Sequence, residues 1–201
     1  MGSNTFRLVV FRYRPGGAFR LIDEIRDPVR LSAGAGPAGL TAPSLERAAR
    51  ASRLYAAYCE GAGIDDVDAV ATSAVRDAPN RDAALRALSA GGALPVRVLS
   101  DEREAFYGYL GAVNSTTLGD GGVLDVGGGS MQISQVSGRR LERAMSRPLG
   151  AVRMTEQFLT GERTSKVDLK ALRKHVRGEL ERIGWLEATG GRMVGVGGTV
   201  R

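Results

Sequence analysis

Residues 121–130 read Gly-Gly-Val-Leu-Asp-Val-Gly-Gly-Gly-Ser, and no other stretch restricts the fold so strongly. Gly122-Val123-Leu124 enters as a short apolar run, the pattern of a buried strand. Asp125 places one carboxylate near the strand end. Gly127, Gly128 and Gly129 then let the backbone turn tightly and come close to a ligand. Unhindered N–H groups in such a turn point at phosphate oxygens, and Ser130 adds a hydroxyl donor. An acid beside a phosphate-sized nest suits metal-assisted phosphoryl chemistry. The carboxylate holds Mg2+ or orients a water, and the amides take up developing charge. The alternative reading is a glycine-rich hairpin bearing a surface aspartate.

Hydrophobic residues form 43% of the 201-residue chain, enough to build a core in one large domain or two small lobes. The net charge of +6 favours an acidic partner such as nucleic acid, polyphosphate or a nucleotide. The positive charge is spread along the chain, and aromatic residues are only 5%, so a dedicated nucleic-acid module is not expected. Arginine abundance is equally open to a reading as compositional bias. The single Cys59 excludes an internal disulfide, fits a reducing cytoplasm and falls in an expected helix as a buried thiol. No apolar run approaches the ~18 residues of a membrane span, and no apolar signal core opens the chain.

Phe6–Phe11 and Arg20–Ile25 read as strands of a hairpin around Pro15-Gly16-Gly17, with Val29–Leu31 extending the sheet. Ser32–Gly39 reads as a flexible loop. A helix over Ser44–Glu60, capped by Thr41 or Ser44, carries a stripe of Leu45, Ala48, Ala49, Ser52, Tyr55, Ala56 and Cys59. Strands follow at Val67–Thr72 and Val96–Leu99, with helices over Arg81–Leu88, capped by Asn80, and over Glu102–Val113. After Gly122–Val126 come paired strands Gln132–Val136 and Arg140–Met145. Helices Ala151–Leu159 and Lys166–Ile183 follow, then a strand Arg192–Val196 ending in Gly197-Gly198-Thr199. Alternating strands and helices imply α/β layers. The repeated plan suggests two lobes, residues 1–118 and 119–201, with a boundary near 115–121.

Six stretches in register resemble the exopolyphosphatase/guanosine pentaphosphate phosphatase family, Ppx/GppA. They are Gly2–Leu8, Ala71–Arg76 with Asn80, Leu99-Ser100 with Glu104-Ala105 and Tyr109–Gly111, Leu124–Ser130, Pro148–Arg153 and Gly197–Thr199. The resemblance implies two actin-like, ribonuclease H-like α/β lobes around a cleft, with Gly2, Ser3 and Asn4 as a first phosphate loop and Gly127–Ser130 as a second. It implies that Glu104 positions or activates the attacking water, that Asp125 serves Mg2+ and catalysis, and that Arg76 holds a substrate phosphate. Gly198 and Thr199 belong to the phosphate contacts. By their local sequence alone, Glu104 reads as a solvated acid at a helix start, Arg76 as a surface residue and Ser3-Asn4 as a loose terminus.

Within the matched stretches, Met131-Gln132 stand where the family shows Thr-Glu, and Arg103-Glu104 where it shows paired acids. Gln132 can hydrogen-bond but brings no negative charge to a metal. The family pattern also runs on beyond Met1 and Arg201, so a fragment with an incomplete second lobe is expected. The expected activity is Mg2+-dependent release of terminal orthophosphate from inorganic polyphosphate. Alternatives are guanosine pentaphosphate 5′-hydrolysis by the same residues, a non-catalytic phosphate or nucleotide sensor, and an ATP-using member of the superfamily. The resemblance further implies a cytoplasmic homodimer.

Overall fold

The computed structural model describes residues 1–89, 94–159, 161 and 163–200. The chain divides by its internal contacts into two compact units, Met1–Val98 and Leu99–Arg201.

The first unit begins with the antiparallel hairpin of β1 (Phe6–Tyr13) and β2 (Phe19–Asp27), with a bulge at Val10/Phe11. Gly16 (φ +69°) makes the left-handed turn between them. The long helix α1 (Ala42–Gly61) starts where expected: the Thr41 hydroxyl accepts from the Ser44 amide at 3.3 Å. Its buried face carries Ser44, Ala48, Ala51, Ser52, Tyr55, Ala56 and Cys59, one step round from the expected stripe, since Leu45 and Ala49 are only half-buried. Tyr55 donates from its hydroxyl to the Phe6 carbonyl at 3.1 Å, tying α1 to the first residue of β1. Two short strands, β3 (Ala69–Ala71) and β4 (Val96–Val98), pair in parallel. Between them lie α2 (Ser73–Arg76) and α3 (Arg81–Ser89). Phe6, Leu31, Ala48, Ala71, Val75 and Ala84 form the centre of the core, all essentially without exposure.

Two local expectations fail here, and the segment expected as a loop is one. Val29–Leu31 does not extend the sheet. Pro28 and the left-handed Arg30 (φ 51°) break the extended conformation, and the segment runs beside residues 3–4 instead, Arg30 N–H donating to the Asn4 carbonyl at 2.7 Å. Asn80 does not spend its side chain on capping α3. Its Oδ1 accepts from the Leu40 amide at 2.9 Å and its Nδ2 donates to the Leu40 carbonyl at 2.8 Å. That two-pronged grip requires glycine at position 39, where a Cβ would sit 2.0 Å from Asn80 Oδ1. Residues 32–39, expected to be a flexible loop, form turns with a Gly36–Gly39 bridge.

The second unit comprises α4 (Asp101–Ser115), β5 (Gly121–Val126), β6 (Met131–Ser137), β7 (Arg140–Arg147), α5 (Ala151–Phe158), α6 (Lys166–Glu181), a 3-10 turn (Leu186–Thr189) and β8 (Met193–Val196). The sheet order is β7-β6-β5-β8, with β5 antiparallel to β6 and parallel to β8. Helix α4 starts at Ser100, whose hydroxyl accepts from Arg103 N–H at 3.3 Å, and carries Asp101, Glu102 and Glu104 in its first turn, where the helix dipole favours acids. Side-chain alternation sends Val123 and Val136 under α4 with Tyr109, Ala112 and Val113. It sends Leu124, Val126, Met131 and Ile133 to the opposite face, against Met154 of α5 and Leu172 and Val176 of α6. Helix α4 thus groups with the second sheet, and the contact division falls at Val98/Leu99, ahead of the 115–121 segment expected as the boundary. Helix α6 ends at Glu181, two residues before the expected Ile183.

Gly111 lies exposed within α4, and a Cβ there would meet nothing within 4 Å. Gly111→Ala is expected to stabilise the protein by about 0.5–1 kcal/mol, since the helix loses only chain entropy in the unfolded state. A denaturant midpoint at or below that of the parent would contradict this.

Candidate functional site

In the second unit the site grows from the end of β5. Asp125 alternates with Val123 and so faces α4, while its cross-strand partners place Gln132 and then Ser146 in the same row. Gly108 and Gly197 flank the carboxylate, and only Gly197 must be glycine to leave it room. A Cβ on Gly108 of α4 would sit 3.6 Å from Asp125 Oδ2, and one on Gly197, directly after β8, would sit 2.5 Å from Oδ1. Gly197 is left-handed as well (φ +87°), so a side chain there is excluded twice. Glu104 lies four residues before Gly108, one turn up the same face of α4. This enclosure desolvates the carboxyl and raises the pKa of Asp125 above its ordinary 3.8.

The loop after β5 owes its shape to α5. Gly127 O accepts from Ala151 N–H at 2.9 Å. Gly128 O accepts from Val152 at 2.9 Å and Arg153 at 3.1 Å, and Gly129 O accepts from Arg153 Nε at 2.9 Å. In a trans peptide the carbonyl and the next N–H point in opposite directions, so the amides of Gly128, Gly129 and Ser130 face away from α5. None of the three glycines is left-handed. The close approach is met by glycine on the other side: a Cβ on Gly150 at the start of α5 would lie 2.3 Å from Gly129 C and 2.4 Å from Gly128 O. The result is a row of amides at the carboxyl end of β5, beside residues 197–199 at the carboxyl end of its parallel neighbour β8. Ligands of open α/β sheets bind at that edge. Gly198 has open space around its Cα, and Thr199 is exposed.

Gln132 is 3% exposed. Its amide nitrogen donates to Ser130 Oγ at 2.8 Å and to Ser146 Oγ at 3.1 Å, which uses both of its hydrogens. Ser130 Oγ is therefore an acceptor within this row, and its own proton is directed elsewhere. A buried amide with both hydrogens used fixes the hydroxyl at the loop's end.

The donor set fits Mg2+ held jointly with a phosphate. Among the described residues no group of three or more His, Cys, Asp or Glu side chains could form an all-protein cage. Mg2+ does not need one: it keeps several waters and uses one or two carboxylates together with substrate oxygens. Asp125 supplies one such carboxylate, and the neutral Gln132 adds none.

The first unit holds its own cluster. Gly2 N–H donates to Thr5 O at 3.2 Å, closing a turn, and Ser3 is buried with its Oγ 3.2 Å from Ser73 Oγ. Ser73 opens α2, and Arg76 closes it, mostly buried, with Nε 3.5 Å from Asp77 Oδ1. Asn4 is exposed, and its carbonyl is taken by Arg30. Gly2, Ser3, Asn4 and Arg76 thus lie in one unit, Glu104, Asp125, Gly127–Ser130, Gly198 and Thr199 in the other. Reading the sequence assigned Ser73 and Gly150 no role in these clusters. Both stood within recognised stretches, and each acts through a neighbour distant along the chain, Ser73 through Ser3 and Gly150 through Gly128 and Gly129. An open groove of about 840 Å³ between α5, α6 and the 3-10 turn, lined by Met154, Leu172, Val176 and Leu180, lies on the opposite sheet face from Asp125. Its floor is apolar, with Arg173, Arg177, Glu181 and Glu187 also lining it.

A sequence profile of the Ppx/GppA phosphatase family matches residues 9–201. The chain belongs to the Ppx/GppA family. A protein of Streptomyces coelicolor is 34% identical over 194 residues, which cover 92% of this chain and 57% of that relative. An exopolyphosphatase-like protein of known structure is 28% identical with a TM-score of 0.90, over 99% of this chain and 64% of its own. The Ppx/GppA enzyme of Aquifex aeolicus is 26% identical with a TM-score of 0.73, over 100% of this chain and 66% of its own. The chain thus spans somewhat under two thirds of the first two. The fold is the actin-like one. Among the described residues no helix is long and apolar enough to cross a membrane.

Proposed function

We propose that this Ppx/GppA chain carries the hydrolytic site of a phosphoanhydride hydrolase that releases terminal orthophosphate from inorganic polyphosphate. The observation that carries the reading is the pairing of an enclosed carboxylate, Asp125 between Gly108 and Gly197, with the outward amides of Gly128, Gly129 and Ser130. The amides receive the charge that builds on the equatorial phosphoryl oxygens. Ser130, its oxygen fixed by Gln132, gives its proton to the same group. Glu104 orients the attacking water and accepts its proton as the water oxygen joins the terminal phosphorus. The bridging P–O bond breaks, and the shortened chain leaves with the bridging oxygen. Mg2+, held by Asp125, offsets phosphoryl charge when bound. Gly198 and Thr199 add phosphate contacts beside the loop amides. Within the first unit, Gly2, Ser3, Asn4 and Arg76 are the residues we assign to phosphate, and the guanidinium fork of Arg76 suits bidentate binding.

Orthophosphate release from polyphosphate and from guanosine pentaphosphate, measured side by side with Mg2+ and without ATP, tests the reading. Polyphosphate is expected to be the better substrate, and Glu104→Gln to slow release about a hundredfold. Strong preference for the nucleotide would move the assignment to guanosine pentaphosphate hydrolysis. Unchanged hydrolysis in Glu104→Gln would remove Glu104 from the chemistry.

A further inference from the structure

The β1–β2 hairpin contains two directly opposed arginine pairs, and the structure treats them differently. Arg7 faces Arg26 across the ladder, and Arg12 faces Arg20. Like charges directly opposite each other destabilise a sheet. At the first pair the chain supplies an anion: Glu24 accepts from both Arg26 Nε and Arg7 Nε, and the two guanidinium groups hold its carboxyl down to about 2. At the second pair no carboxylate answers. Among the described residues neither Arg12 nor Arg20 has an ion pair, and Arg14, at the adjoining turn, adds a third exposed guanidinium. Asp66 accepts from the Tyr13 hydroxyl and from neither arginine.

We infer that Arg12 and Arg20, with Arg14, form a second binding site for the body of a long polyphosphate chain, remote from the end that is hydrolysed. This rests on the polyphosphate reading above. Guanidinium forks bind phosphate oxygens bidentately, and a polyanion supplies to Arg12 and Arg20 what Glu24 supplies to Arg7 and Arg26. The face also argues for a ligand defined by charge alone. Phe11, Tyr13, Phe19 and Leu21 occupy the other face of the ladder, with Phe11 and Phe19 in an edge-to-face pair at 5.6 Å. A single nucleic-acid strand would need stacking and charge on one face. Distance sets the length requirement. Eight residues of extended chain separate Asn4 from Arg12, roughly 26 Å at the rise of a strand. Three phosphoryl groups cannot span that distance, whereas a long chain can occupy both places.

The test compares the full-length parent with Arg12→Ala/Arg20→Ala and Arg12→Lys/Arg20→Lys. Affinity is measured by fluorescence anisotropy for end-labelled polyphosphate of about a hundred units, and turnover on tripolyphosphate. The Ala pair is expected to weaken long-chain affinity roughly tenfold and to leave tripolyphosphate kcat and KM unchanged. The Lys pair should fall between, and added salt should shrink the difference. Unchanged long-chain affinity overturns the inference, as does an equal loss on both substrates, which would place these arginines at the reacting end. Arginine-dependent binding of a single-stranded oligonucleotide as tight as that of polyphosphate would overturn it in favour of nucleic acid. Binding is scored without turnover, so a parent that binds polyphosphate but hydrolyses neither substrate contradicts the hydrolase reading and not this one.

Discussion

Asp125→Asn is expected to lower phosphate release about a thousandfold or more while making the folded protein more stable. The loss follows from the charge: Asn keeps the shape of the side chain but cannot offset a metal's charge, a contribution of several kcal/mol at the phosphoryl centre. The gain in stability follows from the enclosure. The carboxylate lies against Gly108 and Gly197, and burial raises its pKa above 3.8, so folding disfavours its charged form. Removing that charge should stabilise by roughly 1 kcal/mol, the usual trade between activity and stability at a functional site. The pH dependence has a definite sign. A carboxyl whose folded pKa is raised destabilises the fold fully above that pKa and not at all below its unfolded value. The advantage of Asp125→Asn should therefore be largest at neutral pH and should vanish as the pH falls through the folded-state pKa towards 3.8. Denaturant unfolding of both proteins between pH 7 and pH 4 measures it. A variant less stable than the parent at pH 7 would show that the carboxylate is held by compensating partners and is not poised for a metal.

What the sequence showed and what it hid divide along the distance of the deciding interaction. Strand β5 was legible because its signal is local: an apolar run, an acid and a glycine run in ten residues. Helix α1 was legible because twenty residues carry one stripe and Thr41 caps it. Helix α2 was not, because four residues between Ser73 and Arg76 make one turn, too short to show a period. Asn80 reads as a helix cap because the rules for Asn are local, yet its partner Leu40 lies forty residues away. The acid and the amide loop of the candidate site were visible. The roles of two glycines were not: Gly150 and Gly197 stood in recognised stretches, but they matter only through backbone and side chains that reach them in three dimensions.

Gly150→Ala separates these two kinds of information most sharply. By its local sequence the change is mild: Gly150 precedes α5 with φ −70° and ψ 148°, a conformation any residue adopts. The new methyl carbon would nevertheless sit 2.3 Å from Gly129 C and 2.4 Å from both Gly128 C and Gly128 O, all of them backbone atoms that no rotamer change can move aside. Either α5 or the loop must retreat. Retreat breaks the bonds from Ala151, Val152 and Arg153 that turn the loop carbonyls inward and its amides outward. The expected cost is about 2–3 kcal/mol of stability from overpacking, and about a thousandfold in phosphate release, because displaced amides no longer meet the phosphoryl oxygens. Arg153→Ala provides the control, since it deletes the side-chain grip on Gly129 without introducing a clash. It should reduce activity about tenfold and stability by ~1 kcal/mol. Parental activity in a folded Gly150→Ala protein would mean that the amides of Gly128, Gly129 and Ser130 are not the phosphate-binding row, and a drop in stability with activity intact would leave α5 as a purely structural support.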